Sequence, residues 1–575
     1  MRVTAEAGGL SVRAIAGTQV VILAMNMTKA DCDGLLGFAI HRTDHTEQEA
    51  YWLKGMRTFA ETDPGVVESR QVSSREHPFQ DFTWSDYTAK EDRQYTYRVV
   101  ALKGTPMDLS AFAEVEVGIA TESPDNEDHN VFFNRGAAAS QEYARRFGSR
   151  KPGESGDMDE AIWSWLSRGA HEAILAFLLR ADSPDWGVRV CAYEFRLPSV
   201  AGAIREAADR GADVRILYDG SKAFPAVENR EVAAAHGIEP FCSERVPKPV
   251  AIPHNKFIVL TRGGHAVAVL TGSTNFSTGG VFGQSNVVHI VEQADVAKRY
   301  LDYWQLLAAN PQKSVLAPTL TSACALADGL PPPGTTTIFS PRTSLDALEY
   351  YFRLAGEAKN ALFMTFPFGM HDGFKEVFRT GRSRLRYALM DKLLGPGVVG
   401  PKKKTETAAE AKARQEQERA AANLEMLRIR KMVENRIAVG SRLVLNPFDR
   451  WLKEQLTGLN QHVQYIHTKY MLVDPLGDDP IVITGSANFS AASTNKNDEN
   501  MLVIRGNTRV ADIYLGEYMR LWDHYAFREW ATARARAGET SPISRQSWHL
   551  KTDNSWWKRF FGNGAHSRHR EYFAG

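Results

Sequence analysis

One block of sequence occurs twice. GSTNFS (residues 272–277) and GSANFS (residues 485–490) lie 213 positions apart, and each follows a His-x-Lys triplet whose histidine stands 21 residues before the asparagine. His254 and Lys256 precede Asn275, and His467 and Lys469 precede Asn488. A block repeated with its internal spacing intact points to a repeated folding unit, so the chain must accommodate two copies of one domain. The order of elements ahead of each copy agrees. A helical pattern (161–181), the strand-like VRVCAYEF, a second helix (200–210) and DVRILYDG come before His254, while SLDALEYYFRLAGEA, ALFMTFPFG, GFKEVF and LRYALMDK come before His467. Alternating β and α elements predict a layered α/β domain. Asp219 and Asp391 end corresponding strands only 172 positions apart, so the second copy carries 41 extra residues between that point and its histidine.

Residues two apart on a strand share a face, so His254 projects with Lys256 and His467 with Lys469. A histidine beside an obligate cation is ill suited to a metal. It suits a phosphate, which the ammonium can hold while the imidazole attacks phosphorus or moves a proton. In Gly-Ser-x-Asn the glycine permits close backbone approach, Ser273 or Ser486 offers a hydroxyl, and Asn275 or Asn488 offers an amide donor to a non-bridging oxygen. Covalent phosphodiester transfer needs a nucleophile on one side of phosphorus and a proton donor on the leaving oxygen opposite, which two facing half-sites supply.

At 575 residues the chain exceeds one core. With 69 Lys plus Arg against 68 Asp plus Glu, no global attraction to nucleic acid or anionic membrane is built in, and any such binding is local. Cys32, Cys191, Cys242 and Cys324 show neither close pairing nor metal-ligand spacing. VVILAM near the N-terminus is too short for a membrane span and lacks a basic lead. A cytoplasmic location is therefore expected, with signal-independent export left open. Residues 1–122 alternate in short runs between turn residues and predict an all-β sandwich. Its FTWSDYTAKEDRQYTYRVVALKG run, with Tyr95, Tyr97 and Val99 on alternate positions, resembles the late strands of fibronectin type III domains, which share the immunoglobulin-like architecture. Residues 123–157 read as a linker, 158–318 as the first α/β half, 333–535 as the second, and 536–575 as an aromatic and basic tail. The insert at about 396–435 is helix-forming and polar on most faces, so it is expected to project from its domain.

HTKYMLVD followed by GSAN fits the HxKxxxxD and GSxN signature of the phospholipase D superfamily, which residues 158–535 therefore resemble. The resemblance implies two α/β/α halves packed about a pseudo-twofold axis into one bilobal catalytic unit. It also implies that one histidine becomes a phosphohistidine, that the other protonates the leaving group and then activates water or an alcohol, and that neither metal nor cofactor is required. The first copy departs from the pattern, with Thr261 where the second has Asp474. The family's acidic partner of histidine fits Glu499, 11 past Asn488, whereas Asn286 stands 11 past Asn275. A carboxylate beside His467 would favour its imidazolium and make it the acid, leaving His254 as the nucleophile. A carboxylate also orients a nucleophilic histidine, which pulls the other way. Tyrosyl-DNA phosphodiesterases, in the same superfamily, likewise lack the first-half aspartate.

Two motifs on one chain resemble phospholipases D more than single-motif nucleases, so a phospholipid or membrane surface is the first substrate expectation. The tail offers Trp548, Trp556, Trp557, Phe560 and Phe561 beside Lys558 and Arg559, a mixture suited to interfacial anchoring or to a strap packed on the protein. Nucleic acid is the alternative, with the same aromatics stacking bases. A catalytically inactive binding protein, engaging a protein partner through the sandwich, is the third reading.

Overall fold

The structure is a computed structural model describing residues 1–65, 71–125, 127–136, 140–148, 150, 152, 158–221, 223–247, 252–395, 398–440, 465–536 and 549–575. Its centre is a pair of seven-stranded sheets with one strand order. In the first, His129–Phe133, Val287–Val291, His265–Gly272, Lys256–Arg262, Trp186–Ala192, Asp213–Asp219 and Cys242–Arg245 lie side by side. In the second the same order is filled by Gly334–Ser340, Glu499–Arg505, Ile481–Gly485, Tyr470–Val473, Ala361–Phe366, Leu385–Met390 and Asn435–Val439. Helices cover the sheets, and central strands such as Ala361–Phe366 are buried at every residue, hence a run that is apolar but for Thr365.

The halves interlock through their last helices. Ala294–Ala308 packs on His265–Gly272 of its own sheet and on Gly334–Ser340 of the other, while Thr508–Arg536 packs on Ile481–Gly485 and on His129–Phe133. Tyr303 in the first of these helices donates its hydroxyl to the Ser340 carbonyl across the boundary (2.7 Å).

Two details differ from the sequence expectation. His129–Phe133 falls within the expected linker, yet it is the edge strand of the first large sheet and buries Val131 and Phe133. The helical pattern at 161–181 divides into Met158–Ser167 and Ala170–Leu179, because Arg168 (φ 51°) and Gly169 (φ 87°) turn left-handed between them. The Arg168 guanidinium is held there by Glu517 (2.7 Å).

N-terminal to these sheets, Arg2–Ala7, Leu10–Ala16, Val21–Asn26 and Thr83–Asp86 form one four-stranded antiparallel sheet. Asp108–Ala120, Gln94–Thr105, Gly37–Asp44 and Glu49–Trp52 form another. Val12 and Leu23 of the first meet Phe38, Ile40, Tyr97 and Val99 of the second in one core. The opposite face of the first sheet is buried as well: Ile15, Val20 and Ile22 join the core of the large sheets, and Arg2 ion-pairs with Asp512.

Helix Ala408–Lys431 in the insert is mostly exposed, but its last turns dock. Met426 and Ile429 enter the second-half core, and Glu425 accepts from Lys375 and Arg379. The tail overturns the anchoring expectation. Trp556, Trp557 and Phe560 are buried in the core shared by the two N-terminal sheets, with Trp556 stacked on Phe82 (5.7 Å) and donating Nε1–H to the Leu35 carbonyl (2.7 Å). Rings committed to a protein core cannot sit at head-group depth; Lys558 and Arg559 remain exposed and Trp548 lies outside the described residues. Among the described residues no helix is long and apolar enough to cross a membrane.

The strap makes a stability prediction. Trp556→Ala should lower the unfolding free energy by about 3–5 kcal/mol, the cost of emptying a buried aromatic site, read as a fall in the urea midpoint. A midpoint unchanged from wild type would show that the tail does not belong to the core of the N-terminal sheets.

Candidate active site

The two His-x-Lys triplets sit at equivalent ends of equivalent central strands, Lys256–Arg262 and Tyr470–Val473. Each strand is entered through a short parallel bridge to the other half. His254 donates its amide to the Asp498 carbonyl (2.9 Å) and Asp498 donates back to Ile252 (3.0 Å). His467 donates to the Ser285 carbonyl (3.2 Å) and Ser285 to Tyr465 (2.9 Å). Both histidines are buried.

The ring partners cross in the same way. His254 Nδ1 lies 2.9 Å from Glu499 Oε2, and His467 Nδ1 lies 2.9 Å from Asn286 Oδ1. This corrects the expectation that Glu499 serves the histidine of its own copy: the carboxylate belongs to His254, and the amide to His467. A neutral ring donating from Nδ1 to either oxygen leaves Nε2 for chemistry.

Lys256 and Lys469 are buried as deeply as the histidines, and each donates from Nζ to the carbonyl of the histidine two residues earlier. Burial brings the Lys256 ammonium down to about 8, against the pull of Glu499 and Glu194. Burial and then the Lys256 charge hold Lys469 well below the usual lysine range. His467 is likewise held well below the usual imidazole range by burial, then by Lys469, Lys256 and His254. His254 is lowered by burial, with Glu499 opposing. All four groups therefore share one low-dielectric space in which Glu499 and Glu194 offset the positive charge only in part, an environment suited to an anion.

The Gly-Ser-x-Asn residues divide their work. A Cβ on Gly272 (φ 128°) would lie 2.3 Å from the Val287 carbonyl oxygen, and one on Gly485 would lie 2.2 Å from that of Asn500. The close approach that demands glycine is thus to the neighbouring strand, not to a ligand. Ser273 Oγ donates to Asn286 Oδ1 (2.8 Å) and accepts from Val287 N (3.1 Å), so it orients the amide that holds His467. Ser486 Oγ accepts from Asn500 N (3.0 Å). Asn275 and Asn488 differ: both keep a buried Oδ1 without a hydrogen-bond partner among the described residues. An unpartnered acceptor of this kind is suited to a donor such as a hydroxyl or water, and the atom by which each amide can meet an oxyanion is its Nδ2 donor.

Asp474 lies outside this cluster. Its carboxylate accepts from the backbone amides of Lys359 (2.8 Å), Asn360 (2.7 Å) and Ala361 (2.8 Å), anchoring a loop at the far end of the strand. By strand rise that is on the order of 20 Å from His467. Thr261 in the first copy therefore takes no group away from the cluster.

Two further residues join the site. The half-buried Tyr193 ring lies 5.1 Å from the His254 ring and 5.3 Å from Lys256 Nζ. Glu194 beside it accepts from Ser277 Oγ (2.9 Å) and ion-pairs with Arg196 (2.8 Å). The signal for both was positional, since they follow the strand end at which Ala192 pairs with Lys256, the usual place for functional side chains in such sheets. No group of three His, Cys, Asp or Glu is placed to hold a metal ion among the described residues.

Residues 181–307 and 409–522 match the family model described as "Cardiolipin synthase, PLD-like domain". The two matched segments fall one in each half. No curated protein matches the chain. Among solved structures the chain is similar to phosphatidylserine synthase of Haemophilus influenzae Rd KW20, at 11% identity over 67% of this chain and 94% of that one, with a TM-score of 0.42. It is similar to the phospholipase D family member Nuc of Salmonella typhimurium, at 26% identity over 24% and 88%, with a TM-score of 0.21. It is also similar to polyphosphate kinase of Porphyromonas gingivalis, at 12% identity over 58% of this chain, with a TM-score of 0.37, and spans 43% of that protein's length.

Crossed ring partners have a spectroscopic consequence. Asn286→Asp should raise the imidazole of His467 by one to three pKa units, roughly the effect of a new carboxylate neighbour, and Glu499→Gln should lower that of His254. Histidine NMR titrations read both, and a Glu499→Gln variant that moved His467 instead would refute the crossing.

Proposed function

We propose that the chain is a phosphodiesterase that acts through a phosphohistidine on His254, uses no metal or cofactor, and takes phospholipid as its substrate. The observation that carries this reading is the crossed pairing of two buried His-Lys couples. Glu499 holds the Nδ1 proton of His254 and stabilises the positive charge that grows on the ring as Nε2 bonds to phosphorus. His254 was the expected nucleophile for the opposite reason, an amide partner. The carboxylate gives the better one, since it raises the basicity of the attacking nitrogen.

His467, with only an amide partner, is the weaker base and so the stronger acid once charged. It takes its proton from solvent as the substrate binds, because the negative charge of the phosphodiester offsets the two lysines that, with burial, otherwise keep the ring neutral. As the P–N bond forms, the bond to the leaving oxygen breaks and that oxygen takes the His467 Nε2 proton. Neutral His467 then removes a proton from water or an alcohol, whose oxygen attacks phosphorus and frees His254. Lys256, Lys469 and the amides of Asn275 and Asn488 hold the non-bridging oxygens throughout.

Two half-sites on one chain and the match to a family model bearing the name of cardiolipin synthase support phospholipid. The tail no longer contributes, because its described aromatics are core residues.

With EDTA present, the purified protein should release head groups from phosphatidylcholine or phosphatidylethanolamine vesicles and leave labelled DNA and RNA intact. His254→Ala and His467→Ala should each reduce kcat by about 10²–10⁴. Strand cleavage with intact lipid would reassign the enzyme to nucleic acid, and activity on neither would overturn the reading. In the free enzyme, kcat/KM should fall as pH rises through about 8, where Lys256 loses its proton.

A further inference from the structure

Two consecutive residues grip His254. Asp498 pairs with its main chain (His254 N to Asp498 O, 2.9 Å), and Glu499 pairs with its ring (2.9 Å). Both come from the second half, so the geometry of the ring depends on where that dipeptide sits relative to the first half. Hydrogen bonds within the second sheet cannot set that relation, because they move with the dipeptide.

One contact does. Arg245, the last residue of the first-half edge strand Cys242–Arg245, reaches the Asp498 carboxylate with Nε (2.9 Å) and Nη2 (3.4 Å). Both side chains are 1% exposed. The guanidinium is fixed in turn by the Asn310 side-chain oxygen (2.9 Å) and the Pro311 carbonyl (2.6 Å), both in the first half. A forked, fully buried pair has the directional stiffness that a lone ammonium would lack. The corresponding position in the other half is Ser285, whose hydroxyl donates to Tyr465 O (3.0 Å). The His467 side thus has no ion pair at this point.

We propose that Arg245 and Asp498 are positioning residues: their ion pair locks the Asp498–Glu499 dipeptide to the first half and thereby fixes the tautomer and ring orientation of His254. Buried pairs contribute little net stability against neutral replacements of similar shape, and this one is suited to specifying geometry. That Asp498 is ionised only against a strong burial penalty, which lifts its carboxyl to about 6, agrees with a contact kept for placement.

The inference rests on the phosphodiesterase reading for its kinetic consequence but not for its structural one, so the test reads both. Arg245→Met combined with Asp498→Asn removes both charges without stranding either. Long-range spectra of histidine-labelled protein, with the signal assigned by His254→Gln, should show a single Nδ1–H tautomer in wild type and exchange between two in the double variant at unchanged thermal midpoint. With the preferred phosphodiester, kcat should fall about ten- to a hundredfold, the scale of a misplaced reacting group, with KM unchanged. Arg245→Lys, which keeps the charge and the fold but loses the fork, should lie between the two. A folded double variant, or Arg245→Lys, with the wild-type tautomer overturns the proposal even if the enzyme is active. Wild type inactive on every phosphodiester, with the tautomer still scrambled in the variant, instead overturns the phosphodiesterase reading and leaves the positioning role standing.

Discussion

Two short parallel bridges, Pro253 with Asp498 and Ser285 with Ile466, carry the backbone hydrogen bonds that place both histidines. Each such bond adds only about 1 kcal/mol in net terms, and it does so only where water cannot compete. Protecting four of them requires cover from both sides. The exchanged final helices, Ala294–Ala308 and Thr508–Arg536, supply it by packing each on the opposite sheet as well as its own. Either half alone would expose its bridge strand and lose the ring partner of its histidine. The duplication seen in the sequence is therefore one folding unit used twice to enclose a single dry site.

Enclosing that site has an electrostatic cost. Two ammonium groups and two imidazoles are taken out of water together, and Glu499 and Glu194 compensate only in part. The outcome is visible in every group: Lys256 near 8, Lys469 well below its usual range, and both histidines lowered. A site in this condition is relieved by an anion. Stabilisation of that kind is preorganised, because the lysines are already tethered to the His254 and His467 carbonyls before anything binds.

The repeat, the α/β order of each half and the residues that converge were legible in the sequence because they follow from spacing along one chain. What was not legible depends on the other half. Glu499 stands 11 residues after Asn488 and reads as the partner of His467, yet the strand after each Gly-Ser-x-Asn leads across the boundary, so it meets His254. The serine and glycine of that motif looked like phosphate ligands, but a missing Cβ beside Val287 O is a packing requirement visible only in three dimensions. Composition misled in the tail, since tryptophans beside cations suit a membrane interface and a core strap equally until Phe82 and Leu35 appear against them. The break at Arg168 and Gly169 was hidden for a similar reason, because Glu517, which holds Arg168, is 349 residues away.

Symmetry in the backbone and asymmetry in charge serve different ends. Identical half-sites would give two histidines of equal basicity, and neither would be committed to attack or to proton donation. Here the difference at the ring partners lies in the two residues after each bridge begins: Asp498 and Glu499 on one side, Ser285 and Asn286 on the other. The carboxylates sit with His254, and the neutral groups with His467. A carboxylate at Nδ1 favours the cationic ring that a phosphohistidine becomes, whereas an amide oxygen fixes the tautomer without holding the proton back. On the mechanism proposed above, division of labour between two copies of one motif needs no change in the motif itself. It follows from substitutions at neighbouring positions that the pseudo-twofold crossing delivers to the opposite histidine.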